Sequence, residues 1–201
     1  VDKVDWIGTS MGGLIGMALA VYPNSPIKRL VLNDIGAFIP QQALERIGHY
    51  VGLDPRFESV DAVETHLRQL YPAFRGLSEK QWQRLALVGS RQTEDGDLAE
   101  HYDPLIGEYA RAMASEAIDL WPLWQLVRCP QLLLWAEDSD VLDADTVARM
   151  RQLNPQLDLV SWAGIGHAPS LMEAEQIAVV VDWLGSRQTS VEQDQALAGS
   201  K

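Results

Sequence analysis

Apolar residues follow two patterns along this chain, and the change between them divides it. Residues 4–8 (VDWIG) read as a short buried strand. Residues 11–21 (MGGLIGMALAV) are apolar on nearly every side, as in a buried helix, and Pro23 and Pro26 block its continuation. Residues 27–33 (IKRLVLN) set Leu30, Val31 and Leu32 in one unbroken run, the pattern of a parallel strand buried on both faces. The same rhythm returns near the other end. Strands are predicted at 131–135 (QLLLW) and 157–162 (LDLVSW), with a helix at 144–153 capped by Asp143 between them. A capping box, Ser170-Leu171-Met172-Glu173, is expected to open a last helix that Gly185 stops.

Residues 38–127 have a different character. Helical periods dominate and continuous strand-like runs disappear. Helices are expected at 41–51, at 60–70 behind an Ser59 cap, from the S-x-x-Q box of Ser78 and Gln81, at 105–116, and briefly at 120–127. Residues 92–104 read as a polar loop. The prediction is an α/β chain: a parallel sheet with helices on both faces and a helical insertion between its second and third strands. The parts are core (1–37), insertion (38–127), core (128–186) and a flexible polar tail (187–201).

Length and composition narrow the partners. A chain of 201 residues suits one domain, with or without an inserted subdomain. With 47% hydrophobic and 22% charged residues it is folded rather than disordered. The net charge of −12 argues against nucleic acid or an anionic membrane as the main partner, which leaves a small molecule. No apolar run is long enough to span a bilayer and no signal peptide is visible, so a cytoplasmic location is expected. Cys129 is the single cysteine, which excludes an internal disulfide and a thiolate metal cage. No cofactor and no metal is expected. The chain opens at Val1 with a strand almost at once, so a missing N-terminal segment or a second chain is expected to complete the sheet.

The chemistry concentrates in three short segments. Gly8-Thr9-Ser10-Met11-Gly12 is a G-x-S-x-G motif between a predicted strand and a predicted helix. A turn that sharp strains the serine backbone, and the glycines two residues to either side are read as making room for it. The bend lifts the hydroxyl clear of the sheet, and the free N–H of Met11 at the helix start faces a developing oxyanion. A glycine-rich helix start with a serine cap is the bland alternative. A serine needs a base. His167, in Gly164-Ile165-Gly166-His167-Ala168-Pro169, lies just past the last strand, at the carboxyl edge where open α/β sheets place their sites. His49 and His66 fall in predicted helices, and His101 lies in the polar loop, where it could line a substrate pocket. The base needs a carboxylate to set its tautomer. Acids cluster after the QLLLW strand; Asp140 is the first choice, Asp138 the second, and Asp34, after the second strand, the third.

The order Ser10, Asp140, His167 and the segments GTSMGG, SDVL and GIGHAP resemble the α/β-hydrolase superfamily. The VLNDIG segment at 31–36 is similar to that of lid-containing bacterial serine hydrolases, and the likeness covers nearly the whole chain. It implies Ser10 as nucleophile, His167 as general base, Asp140 as orienting acid and residues 38–127 as a helical lid. Two departures stand out. Ala136 replaces a glycine common after the acid strand, and strands that normally precede the elbow strand have no counterpart.

The activity expected is cleavage of a small or medium apolar carboxylic ester through an acyl-enzyme. Ser10 stands where haloalkane dehalogenases and epoxide hydrolases carry aspartate, which argues against both. Carbon–carbon bond hydrolases and cofactor-free perhydrolases use the same three residue types and stay open. A non-catalytic fragment or subunit is the alternative of another class. Trp121 and Trp124, at helical spacing, read first as packing between lid and core and second as an acyl-pocket wall. Asp143-Ala144-Asp145-Thr146-Val147 has the look of a phosphotransferase D-x-D-x-[TV] motif, but its first aspartate sits at a helix cap. Residues 137–145 lack the mid-loop glycine and terminal glutamate of an EF-hand.

Overall fold

The computed structural model describes residues 2–74 and 76–198, with side chains as far as residue 186. The chain opens with β1 (Val4–Thr9), α1 (Met11–Ala20) and β2 (Ile27–Asn33). An insertion follows: β3 (Phe38–Ile39), α2 (Gln41–Gly48), α3 (Val60–Leu70), α4 (Glu79–Val88), β4 (Ser90–Gln92), β5 (Leu98–Glu100), α5 (Ile106–Met113), β6 (Ile118–Asp119) and α6 (Trp121–Trp124). The chain returns through β7 (Gln131–Ala136), α7 (Ala144–Leu153) and β8 (Asp158–Trp162). These elements belong to one compact unit, Val1–Pro169; α8 (Ala174–Ala198) belongs to a second, Ser170–Lys201.

Four parallel strands form the main sheet in the order β1-β2-β7-β8. The strands with unbroken apolar runs, β2 and β7, take the inner places. The strands with polar alternation, β1 with Asp5 and β8 with Asp158 and Ser161, take the outer ones. Leu30, Leu32 and Leu133 join Met17, Ile35, Trp124, Leu142, Val147 and Met150 in one core cluster. Val31, Leu132 and Leu134 alternate with them, project from the opposite face and are also buried. Each such side chain contributes roughly 1.5–3 kcal/mol on leaving water. Asp5 is accommodated on β1 because Arg29, one strand away and only 2% exposed, grips its carboxylate with Nε (2.6 Å to Oδ1) and Nη2.

The insertion is richer than the predicted set of helices. Its two ends are stitched together: Phe38 pairs with Asp119 and Ile39 with Ile118, and the Leu120 N–H donates to Ala37 O at 2.8 Å. Residues 92–104 are not simply a loop. Ser90–Gln92 and Leu98–Glu100 make a hairpin, closed near Gly96 at φ +93°, and Phe57 and Leu98 exchange backbone hydrogen bonds of 2.8 Å. Strands of two or three residues carry too little alternation to be seen in sequence. Two helices lie where their caps placed them. Ser59 Oγ accepts from Ala62 N–H at 3.2 Å and α3 covers Val60–Leu70. Asp143 accepts from Thr146 N–H at 2.7 Å and α7 covers Ala144–Leu153. The Ser78 N–H donates to Gln81 Oε1 at 2.8 Å.

The last helix departs from expectation at both ends. Leu171 adopts φ 55°, outside helical space, so the turn at Ser170 is not the helix start and α8 begins at Ala174. Gly185 does not stop it. That glycine keeps an ordinary φ and a Cβ there would meet nothing within 4 Å, so it is a helical residue disfavoured by about 1 kcal/mol relative to Ala. The backbone expected to be a loose tail is helical as far as Ala198. Residues 199–201 of that expected tail lie outside the described residues.

Candidate active site

The site grows from the bend between β1 and α1. Ser10 sits there at φ 50° and ψ −117°, a conformation that disfavours a non-glycine residue by roughly 1–3 kcal/mol. The surroundings hold it. The Ser10 N–H donates to Asn33 O at 3.1 Å, continuing the β1–β2 ladder, and Ser10 O accepts from Gly13 N–H at 2.8 Å and Leu14 N–H at 3.2 Å. A Cβ on Gly8 would lie 2.3 Å from Gly12 O, so the helix can turn back only over a glycine. The second glycine of the motif is different. A Cβ at Gly12 would meet nothing within 4 Å, whereas one at Gly13 would lie 2.3 Å from Ile35 Cγ2 and one at Gly16 2.6 Å from Trp6 Cδ1. Close approach of α1 to the sheet therefore rests on Gly13 and Gly16 rather than on Gly12. Because α1 begins at Met11, that residue's N–H has no acceptor within the helix and lies beside Ser10.

His167 reaches the bend from the loop after β8. Its Nε2 is 2.9 Å from Ser10 Oγ, and its Nδ1 is 2.7 Å from Asp34 Oδ2. Asp34 is fully buried at the end of β2, and its other oxygen accepts from the Ala136 N–H at 2.9 Å. A carboxylate can only accept, so the proton of the neutral ring resides on Nδ1 and Nε2 is left to accept from the Ser10 hydroxyl. The three side chains thus form one directed hydrogen-bond chain with 10% of the imidazole and none of the acid exposed.

The acid beside His167 is therefore Asp34, and the expectation of Asp140 is corrected. Asp140 is half-exposed and faces Arg46 of α2, which grips it through Nε and through Nη2 at 2.9 Å. Of its neighbours, Glu137 accepts from Ser161 Oγ and Asp143 caps α7, while the Asp138 N–H donates to Ile165 O at 3.1 Å. The reason is strand order. β2 lies directly beside β1, so the residue after β2 emerges next to the bend, while the residue after β7 emerges one strand further away. A sign was present in the sequence: Asn33 and Asp34 end an unbroken apolar run, where a buried polar group must have partners.

Other expected site residues lie elsewhere. Trp121 and Trp124 are core side chains, 6% and 2% exposed. Arg149 stacks 4.0 Å over Trp121, and the Trp124 indole donates to Met150 O at 3.4 Å, so both pack against α7. His101 lines an open hollow of about 370 Å³ with Arg91, Tyr102, Asp103 and Pro104. Among the described residues no three His, Cys, Asp or Glu side chains converge to hold a metal ion. No helix among them is long and apolar enough to cross a membrane.

A parallel sheet with a strained serine bend and a histidine–carboxylate pair at its carboxyl edge defines the α/β-hydrolase class. The alpha/beta hydrolase fold family matches residues 1–174, and the chain belongs to it. The chain is 38% identical over 187 residues to a 3-hydroxybutyrate-oligomer hydrolase of Cupriavidus necator, covering 89% of this chain and 64% of that protein. It is 28% identical over 165 residues to a 2-(acetamidomethylene)succinate hydrolase of Mesorhizobium japonicum, covering 80% and 56%. It thus spans less than two thirds of the length of the curated relatives it matches. Among solved structures, an alpha/beta hydrolase from Novosphingobium aromaticivorans superposes with a TM-score of 0.80 at 35% identity, over 92% of this chain and 66% of that one.

Proposed function

We propose that the protein is a serine hydrolase that cleaves a small or medium apolar carboxylic ester through an acyl-enzyme. The observation that carries this reading is the directed chain Asp34–His167–Ser10, with 2.7 Å and 2.9 Å between its members. His167 Nε2 takes the hydroxyl proton as Ser10 Oγ attacks the ester carbonyl carbon. The oxyanion that forms is met by the Met11 N–H at the positive end of α1. The imidazolium, held by Asp34, gives its proton to the departing alkoxide, which leaves the acyl group on Ser10. A water then loses a proton to His167 and attacks the acyl carbon; as the bond to Ser10 Oγ breaks, the imidazolium returns that proton to Oγ, releasing the acid and restoring Ser10. Likeness to a hydrolase of 3-hydroxybutyrate oligomers supports short esters of hydroxy acids as the substrate class. Residues 38–127, inserted between β2 and β7 with both ends stitched together, would be the lid that selects among them.

The test is covalent trapping. The folded protein should take one fluorophosphonate group, located on Ser10 by peptide mass spectrometry, and Ser10→Ala should take none. A folded protein that stays unlabelled, or is labelled elsewhere, overturns the reading.

A further inference from the structure

We infer that Asn33 is a positioning residue, which holds the loops bearing Ser10 and His167 at a fixed separation through one buried amide. The inference rests on the serine-hydrolase reading above. Asn33 has no exposed surface. Its Nδ2 donates to Thr9 Oγ1 at 3.0 Å and to Pro169 O at 2.9 Å. Thr9 precedes Ser10, Asn33 precedes Asp34, and Pro169 follows His167 by two residues. One NH₂ group therefore ties together all three segments of the proposed triad. The orientation of the amide follows from chemistry: Pro169 O needs a donor, so the nitrogen faces it and the oxygen cannot.

That oxygen, Asn33 Oδ1, is buried and has no partner. An unsatisfied buried acceptor disfavours the fold by about 1–3 kcal/mol, which offsets most of what two hydrogen bonds of about 1 kcal/mol each return. Stability alone thus gives no reason for an amide here. Geometry does. The His167 loop leaves β8, two strands away from β2, and must place Nε2 against an Oγ on the far side of Asp34. A displacement of about 1 Å between reacting groups lowers rates roughly 10²-fold. A bridge from the end of β2 to both neighbouring loops fixes that distance.

The experiment compares wild type, Asn33→Leu, Thr9→Val and the double variant. It measures the rate of fluorophosphonate labelling, kcat and KM for p-nitrophenyl butyrate, and Tm. Leucine keeps the branched shape of asparagine but donates nothing. Valine keeps the β-branched shape of threonine at an exposed position. Asn33→Leu is expected to label and turn over about 10–100-fold more slowly, with KM changed by less than about twofold. Thr9→Val is expected to lose about 3–10-fold, and the double variant no more than Asn33→Leu alone, because both remove one bridge. A merely structural role would lower Tm and leave the labelling rate of the folded protein unchanged. Wild-type labelling by Asn33→Leu below its Tm, or effects that multiply in the double variant, overturns the inference. If Asn33→Leu does not fold, labelling of Thr9→Val at the wild-type rate overturns it. Absence of any adduct on wild type instead brings down the serine-hydrolase reading itself.

Discussion

At the scale of single residues, Asp34 and Asp140 separate most sharply. Both are aspartates just past a core strand, yet one is fully buried against an imidazole and the other half-exposed against a guanidinium. Asp34→Asn should keep the shape but destroy the acceptor that sets the tautomer of His167. Ester turnover is expected to fall by about 10⁴-fold, measured as kcat on p-nitrophenyl butyrate. Asp140→Asn should leave kcat close to wild type and change stability by less than about 1 kcal/mol, since exposed ion pairs contribute little. The opposite ranking would return Asp140 to the site. Ser10 and His167 were legible because each stands in a glycine-bearing segment at a strand end, where the chemistry and the turn demand the same residues. Asp34 was less so, because a carboxylate after a strand has no local signature and the acids of 137–145 offered a larger cluster.

At the scale of elements, the packing of α1 and the pairing of β1 with β2 each carry a prediction. Gly12→Ala should stabilise the protein by roughly 0.5–1 kcal/mol, since alanine suits a helix and the site is open. Gly13→Ala should destabilise it, because the new Cβ would collide with Ile35 at the close contact of helix and sheet. Urea denaturation of the pair reads both signs. On the strands, the Arg29 hydrogen bond holds the Asp5 carboxyl below its ordinary pKa of 3.8, against a smaller opposing effect of burial. A lowered folded-state value stabilises the fold fully above the unfolded pKa. That contribution fades as pH falls through 3.8 toward the folded value. Asp5→Ala should therefore destabilise the fold near neutrality, and the gap to wild type should narrow in acid titrations of stability. Helices α3 and α7 were readable to the residue from their caps. The hairpin of β4 and β5 was not, since strands of three residues carry too little alternation to be read.

At the scale of the whole molecule, net charge and strand order govern. A protein of charge −12 repels anions over a range set by salt. For a 3-hydroxybutyrate dimer with a free carboxylate, kcat/KM should rise with ionic strength, and for its methyl ester it should stay flat. Equal salt dependence for the two would show that the field at the site differs from the field of the whole. The residue pattern was enough to read the class of architecture, the bend at Ser10 and the histidine that answers it. Short unbroken apolar runs alternating with helices are satisfied inside a parallel sheet, and a G-x-S-x-G bend suits the turn from such a strand into a helix. Which acid meets His167, which glycine of α1 touches the sheet, and the asparagine amide that spans two loops came from the packing of the strands. These are matters of which strands are neighbours, and adjacency in a sheet is written in no local stretch of residues.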